Sequence, residues 1–208
     1  MRYYATASTE RVRDSMRADL LGQIITPAAG NRHEPDAEWI ADNAVFSGRY
    51  PGDIPYLRWL GDHAIYRSRC RFAVAPDVVC DHEATLVRSL PMMQRIRKVV
   101  GRVAFVAQNG ARLGNVPWDQ FDALFLGGDT AWKIGDEAAE LCAAAKAFGK
   151  WVHMGRVNSL YRMRRALAMG CDSADGTYLA FGPDTNLPKL LGWLRHVNQP
   201  SLFDWSAA

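Results

Sequence analysis

Short apolar runs rich in β-branched and aromatic residues alternate along the chain with longer stretches of helical apolar spacing. The runs are Tyr3–Ala7, Gln23–Thr26, Trp39–Ala44, Phe72–Ala75, Val103–Ala107, Ala123–Leu126, Trp151–Met154 and, more weakly patterned, Cys171–Ala174. Helices are predicted over Thr9–Leu21, Ile54–Asp62, His82–Val100, Asp136–Phe148, Ser159–Met169 and Leu187–Val197. Within the third of these, Leu86, Leu90, Met93, Ile96 and Val100 form the expected buried stripe. Asp136–Phe148 opens on acidic residues and is followed by Gly149, the signature of a helix start and stop. Gly30–Glu38 and Gly110–Asp119 read as loops.

Strand followed by helix, repeated, implies parallel strands joined by crossover helices. Eight candidate strands predict a small (β/α)8 barrel of the TIM type, with some helices short or missing, as a single domain over 1–208. An open doubly wound sheet is the alternative. The absence of GxGxxG after the first strand argues against its dinucleotide-binding version.

Composition narrows the picture. The chain has 208 residues, 49% apolar and 23% charged, which excludes wholesale disorder. A net charge of +3 is too small to hold nucleic acid by bulk charge and leaves only a local basic face. The four cysteines (Cys70, Cys80, Cys142, Cys171) are far apart with no CxxC, so they read as reduced thiols. The five histidines show no metal spacing, and no metal is expected. No apolar run approaches membrane-spanning length and no signal core opens the chain; a cytoplasmic protein without membrane association is expected, in the host cytoplasm if phage-encoded.

The polar residues gather where strands end: Asp42 and Asn43, Asp77, Gln108 and Asn109, Gly127-Gly128-Asp129, His153-Met154 with Arg156 and Asn158, and Asp172, Ser173 and Asp175. Any one of these reads as a turn residue or helix cap. Recurrence at one strand end after another points to an active site, because in a parallel barrel all these ends open on one face. Three carboxylates at one mouth suit covalent and acid/base work at an acetal-like carbon. Gln108, Asn109 and the Gly127-Gly128 backbone offer hydrogen bonds to a planar heterocycle, with Phe46 and Met154 at its faces.

The order Asp42-Asn-Ala-Val-Phe46, Ala75-Pro-Asp77, Val106-Ala-Gln108-Asn-Gly110, Phe125-Leu-Gly-Gly128, His153-Met-Gly155 and Gly170-Cys-Asp172-Ser-Ala-Asp175 resembles the tRNA-guanine transglycosylase superfamily. Gly127-Gly-Asp-Thr-Ala-Trp-Lys133, His153-Met-Gly-Arg-Val-Asn-Ser159 and Gly170-Cys-Asp-Ser-Ala-Asp-Gly-Thr177 look like its DNA-modifying branch, the deoxypurine-in-DNA protein A type. The resemblance covers roughly residues 39–180. It implies exchange of guanine for a 7-deazaguanine such as preQ0, which is a co-substrate base; no cofactor is implied. By the same resemblance Asp175 is the nucleophile and Asp42 the general acid/base. Asp77 and Gln108 read the purine edge, Gly127 and Gly128 supply backbone contacts, and Phe46 and Met154 sandwich the base. Asp172, Asn43, His153 and Arg156 are supporting positions, and Asp172 competes with Asp175 for the nucleophile's role. Ala44-Val45 stand where the family has Gly-Gly. The tRNA enzymes' CxCxxC…H zinc site has no counterpart here, which favours DNA over tRNA as partner.

Polymer contacts are expected from three basic clusters on the rim: Arg95/Arg97/Lys98/Arg102, Arg156/Arg162/Arg164/Arg165 with Tyr161, and Arg67/Arg69/Arg71. A base must be flipped from a duplex to enter such a pocket; Trp132 and Tyr50 are candidates to fill the gap. A helper protein or a homodimer is compatible with the chain's small size. A tRNA enzyme, a deoxyribosyl or nucleoside hydrolase and a non-catalytic binding barrel are the competing readings.

Overall fold

Eight short parallel strands close on themselves in chain order, each hydrogen-bonded to the next and β8 back to β1, in a computed structural model describing residues 1–30 and 32–199. The strands are β1 (Arg2–Ala5), β2 (Gly22–Ile25), β3 (Trp39–Ala41), β4 (Cys70–Val74), β5 (Val103–Ala107), β6 (Ala123–Leu126), β7 (Trp151–Met154) and β8 (Ser173–Asp175). The helices are α1 (Glu10–Arg17), α2 (Asp53–Asp62), α3 (His82–Val100), α4 (Thr130–Lys133), α5 (Asp136–Ala147), α6 (Leu160–Ala168) and α7 (Pro183–Asn198). The chain is therefore a small (β/α)8 barrel, and the β1–β8 ladder excludes the open sheet.

The core has two layers. Inside the barrel pack Tyr4, Ile40, Phe72, Val74, Ala104, Val106, Ala123 and Phe125. Alternate residues of the same strands face outward and join the helices in the larger cluster, among them Ala5, Ala41, Phe105, Leu126, Val152 and Met154. Strands buried on both faces explain the continuous apolar runs in the sequence. The β2–β3 and β5–β6 connections carry no helix among the described residues, where loops were expected.

Local signals set the helix starts. Thr9, Asp81, Asp129 and Ser159 each accept the backbone N–H of the residue three ahead, capping α1, α3, α4 and α6. The stripe expected on α3 is corrected in its first half: Leu90 is exposed, and the buried face there carries Thr85 and Ser89. Those two hydroxyls fasten the loop after β4. Ser89 Oγ donates to the Pro76 carbonyl at 2.7 Å, and Thr85 Oγ1 accepts the Val78 amide at 2.9 Å. The short α4 and a 3₁₀ turn at Ala64–Arg69 have no counterpart in the sequence prediction.

Candidate active site

The carboxyl ends of the strands surround a cavity of about 510 Å³. Ile24, Val74, Val106 and Phe125 form its apolar walls; Asp42, Asp77, Gln108, Gly127, Gly128, Arg156 and Asp175 supply its polar groups. Asn43 and Phe46 also line it. This is the end of the fold at which TIM-type barrels carry their active sites.

Asp42 follows β3. One of its oxygens accepts the Ala44 amide at 2.7 Å. Burial pushes its carboxyl up to about 7, the Ala44 amide opposes this, and the charges of Asp175 and Asp77 add to the rise. Asp77 follows β4 and is buried between two side-chain amides: Asn43 Nδ2 donates to Oδ1 at 2.8 Å and Gln108 Nε2 donates to Oδ2 at 2.6 Å. Burial raises the Asp77 carboxyl above its ordinary range, while those amides favour its anion. Asn43 Nδ2 also donates to the Ala75 carbonyl at 2.8 Å, so its supporting role is to fasten the ends of β3 and β4 together.

Gln108, just past β5, is a hub. Its Oε1 accepts the amides of Cys80 (2.9 Å) and Gly128 (2.8 Å) while its Nε2 holds Asp77. Gly127 leaves the room it needs: a Cβ there would lie 2.6 Å from Gln108 Nε2 and 2.6 Å from a Val106 methyl. Both polar groups expected to read the purine edge are thus already bonded to each other, and a ligand must share them or turn the amide.

Asp175 closes β8. Its Oδ1 accepts the Arg156 amide at 3.1 Å, and its Oδ2 meets His153 Nε2 at 2.8 Å. His153 lies inside the barrel with no exposure. Arg156 turns across the mouth: its guanidinium donates to the Gly127 and Gly128 carbonyls and stacks over the Phe46 ring, 4.4 Å from the centroid. Phe46 is otherwise open, with 62% exposure on the rim.

One backbone device recurs around this mouth. Ala44, Cys80 and Arg156 have φ of 64°, 62° and 61°, unusual for residues with a side chain, and Gly128 has φ of 49°. Each directs its N–H onto a polar side chain of the site: Asp42, Gln108, Asp175 and Gln108 respectively. Left-handed turns after β3, β4, β6 and β7 thereby orient the groups that line the cavity.

Two expected site residues lie elsewhere. Met154 is fully buried in the outer layer and does not line the cavity, because β7 alternates and sends Trp151 and His153 inward instead. Asp172 sits at the opposite end of the barrel, where it binds Lys146 at 2.6 Å and accepts the Val152 amide at 2.8 Å. Of the two carboxylates proposed for the nucleophile, Asp175 alone faces the cavity.

The basic clusters divide in the same way. Arg71 and Arg102 border a depression with Lys150 and Trp151 at the floor, remote from the mouth, and Arg97 is bound there to Asp122 at 3.1 Å. Arg162 reaches the Arg156 carbonyl near the mouth, whereas Arg165 binds the Ile134 carbonyl and Arg164 meets His196. Tyr50 donates to Asp53 beneath Arg88, and Trp132 donates to Glu137; neither lines the cavity.

Sequence reasoning overlooked Arg49, Thr26 and Thr177 on the cavity wall, and also Lys133. The Lys133 ammonium has no exposure and donates to the Gly155 carbonyl at 2.6 Å, pinning the turn that carries Arg156. Burial and the neighbouring Arg156 charge push it down to about 7, against the pull of Asp175.

No protein-family model matches the chain, and no curated protein matches it. Solved structures do. Phosphoribosyl anthranilate isomerase from Thermus thermophilus superposes with a TM-score of 0.54 at 14% identity, over 95% of this chain and 100% of that one. A structure described as native KDPGal gives a TM-score of 0.55 at 12% identity, over 96% of this chain and 97% of that one. At these identities the likeness establishes the barrel fold.

No helix among the described residues is long and apolar enough to cross a membrane.

Proposed function

We propose that the chain is a glycosyl-transferring enzyme that exchanges guanine in DNA for a 7-deazaguanine base through a covalent Asp175–deoxyribose ester. The observation that carries this reading is the convergence of Asp175, Asp42 and the Asp77–Gln108 pair on one cavity, each held by a turned backbone amide or by its neighbours. The isomerase among the structural neighbours is an enzyme on the same fold, which supports catalysis but no particular reaction.

The chemistry proceeds in two displacements. An Asp175 oxygen attacks C1′, the C1′–N bond to guanine breaks, and Asp42 gives its proton to the departing base. A carboxyl pushed up to about 7 is suited to this, since near neutral pH it populates both proton donor and acceptor forms. The incoming deazaguanine then loses its ring N–H proton to Asp42, its nitrogen attacks C1′, and the Asp175 ester breaks. Two inversions retain configuration. Asp77 and the Gln108 amide take the polar edge of the base, and the exposed face of Phe46 takes its ring. With Met154 turned away, the apolar walls formed by Val74, Val106 and Phe125 supply the remaining contact.

The test is base exchange in vitro. Purified protein is incubated with preQ0 and, separately, duplex DNA, single-stranded DNA or tRNA, followed by digestion and mass analysis of the nucleosides. Deazaguanine in DNA that disappears with Asp175→Ala is the expected result. Modified tRNA alone would move the substrate to RNA. Free guanine released without an acceptor would make the enzyme a hydrolase, and no change in any pool overturns the reading.

A further inference from the structure

A line of hydrogen bonds runs down the inside of the barrel from the mouth to the floor. Asp175 Oδ2 meets His153 Nε2 at 2.8 Å, His153 Nδ1 meets Ser173 Oγ at 2.8 Å, and Trp151 Nε1 donates to the same oxygen at 2.7 Å. His153 and Ser173 have no exposure, while Asp175 reaches the cavity. The His153 ring is enclosed by Phe125, Phe72 and Tyr4, at centroid distances of 4.6, 5.4 and 5.9 Å. At the floor the Arg71 guanidinium lies 4.2 Å above the Trp151 ring.

The donor inventory sets the direction of every proton in this line. The indole N–H can only donate, so Ser173 Oγ accepts from Trp151. Trp151 donates to Ser173 Oγ, so among the side-chain partners of that oxygen in the described residues His153 Nδ1 is the acceptor for the hydroxyl proton. Nδ1 therefore carries no hydrogen, and the imidazole proton sits on Nε2, aimed at Asp175. An N–H on Nδ1 would face the serine oxygen that Trp151 already donates to and leave the buried hydroxyl proton without its acceptor.

We infer that His153 is a positioning residue for Asp175, a neutral Nε2–H donor whose tautomer is imposed from the barrel floor by Ser173 and Trp151. This rests on the proposed function for its catalytic meaning. The residue types are those of a serine-nucleophile triad with the order turned over: the carboxylate faces substrate and the serine is sealed inside. Ser173 cannot reach a substrate, which excludes hydroxyl nucleophile chemistry here. What the line does is hold one Asp175 oxygen from below while the Arg156 amide holds the other. The carboxylate plane is thereby set relative to a sugar carbon above it.

Long-range proton–nitrogen NMR of the imidazoles in the intact protein tests the arrangement without any activity. The expected result is a neutral His153 protonated on Nε2, with the second tautomer appearing in Ser173→Ala. A wild-type His153 protonated on Nδ1 would overturn the inference even if base exchange is observed. In the exchange assay, His153→Leu is expected to lower kcat roughly 100-fold with the KM for the deazaguanine within about threefold. His153→Gln, which keeps an N–H near the Nε2 position, should recover about tenfold of that loss. An unchanged kcat in a folded His153→Leu protein, or a loss that glutamine does not restore, would overturn the positioning role. Should the wild type exchange no base at all, the proposed function fails, and the NMR result alone decides the tautomer.

Discussion

Replacing Asp42 by asparagine separates the electrostatics of the mouth from its packing. In the folded chain the carboxyl is pushed from 3.8 up to about 7, first by burial and then by the charges of Asp175 and Asp77. Between about pH 4 and pH 7 the folded state holds a proton that the unfolded state has released, so stability falls as pH rises through this window; the full cost is present above pH 7. A rise of that size corresponds to about 4 kcal/mol. Asp42 is only half-buried by surface area, so solvent screening reduces the measurable share to about 1–3 kcal/mol. Asparagine carries no charge and keeps an oxygen for the Ala44 amide at 2.7 Å. Urea unfolding at pH 5, 6, 7 and 8.5 should show Asp42→Asn more stable than wild type by about 1–3 kcal/mol at pH 8.5, the gap closing toward pH 5. Base exchange should be lost at every pH. A gap independent of pH, or a variant less stable at pH 8.5, would refute the reasoning.

Other substitutions test separate parts of the structure. Ala44→Gly removes the side chain from a residue at φ 64° and should raise stability by about 0.5–1 kcal/mol in the same unfolding assay. Met154→Ala should cost about 2–5 kcal/mol as a core cavity while leaving the KM for the deazaguanine unchanged, since Met154 faces the helices. Lys133 titrates in the opposite sense to Asp42. Its ammonium is pushed down to about 7, so the unfolded state binds the extra proton between about pH 7 and 10.5, and stability rises with pH there. Thermal melts from pH 7 to 9.5 should show that rise in wild type and a flatter profile in Lys133→Met.

The barrel was legible because the alternation of runs was regular: β5, β6, β7 and α3 have the bounds that the apolar pattern predicts. The errors cluster at strand ends, and two causes account for them: hidden strand phase and side chains that turn the backbone. Strands buried on both faces hide their alternation, so the pattern alone does not say which residue at the end of a run faces the mouth. Phase decides Met154, which points outward next to the inward His153. It also decides β8, which begins at Ser173 rather than Cys171 and ends with Asp175 in the inward register of Ser173. Asp172 precedes that strand and belongs to the floor. β3 stops at Ala41 instead of reaching Ala44, because the Asp42 and Asn43 side chains accept the amides of Ala44 and Val45 and bend the chain away from the sheet.

The turns themselves had no sequence signal, and that says something about the site. Glycine is the residue ordinarily used for a left-handed backbone, yet Ala44, Cys80 and Arg156 adopt it beside the mouth. Each costs about 1–2 kcal/mol relative to an ordinary conformation. The cost is offset locally, because each turned amide meets an acidic or amide oxygen that would otherwise be buried short of a donor. The strain and the polar groups therefore sustain one another: Asp42 holds the Ala44 turn, Gln108 the Cys80 turn, Asp175 the Arg156 turn. Removing the Gln108 side chain would free the Cys80 and Gly128 amides together and leave Asp77 with Asn43 alone. Coupling of this kind makes the mouth a single preorganised unit, with its carboxylates oriented before any ligand arrives.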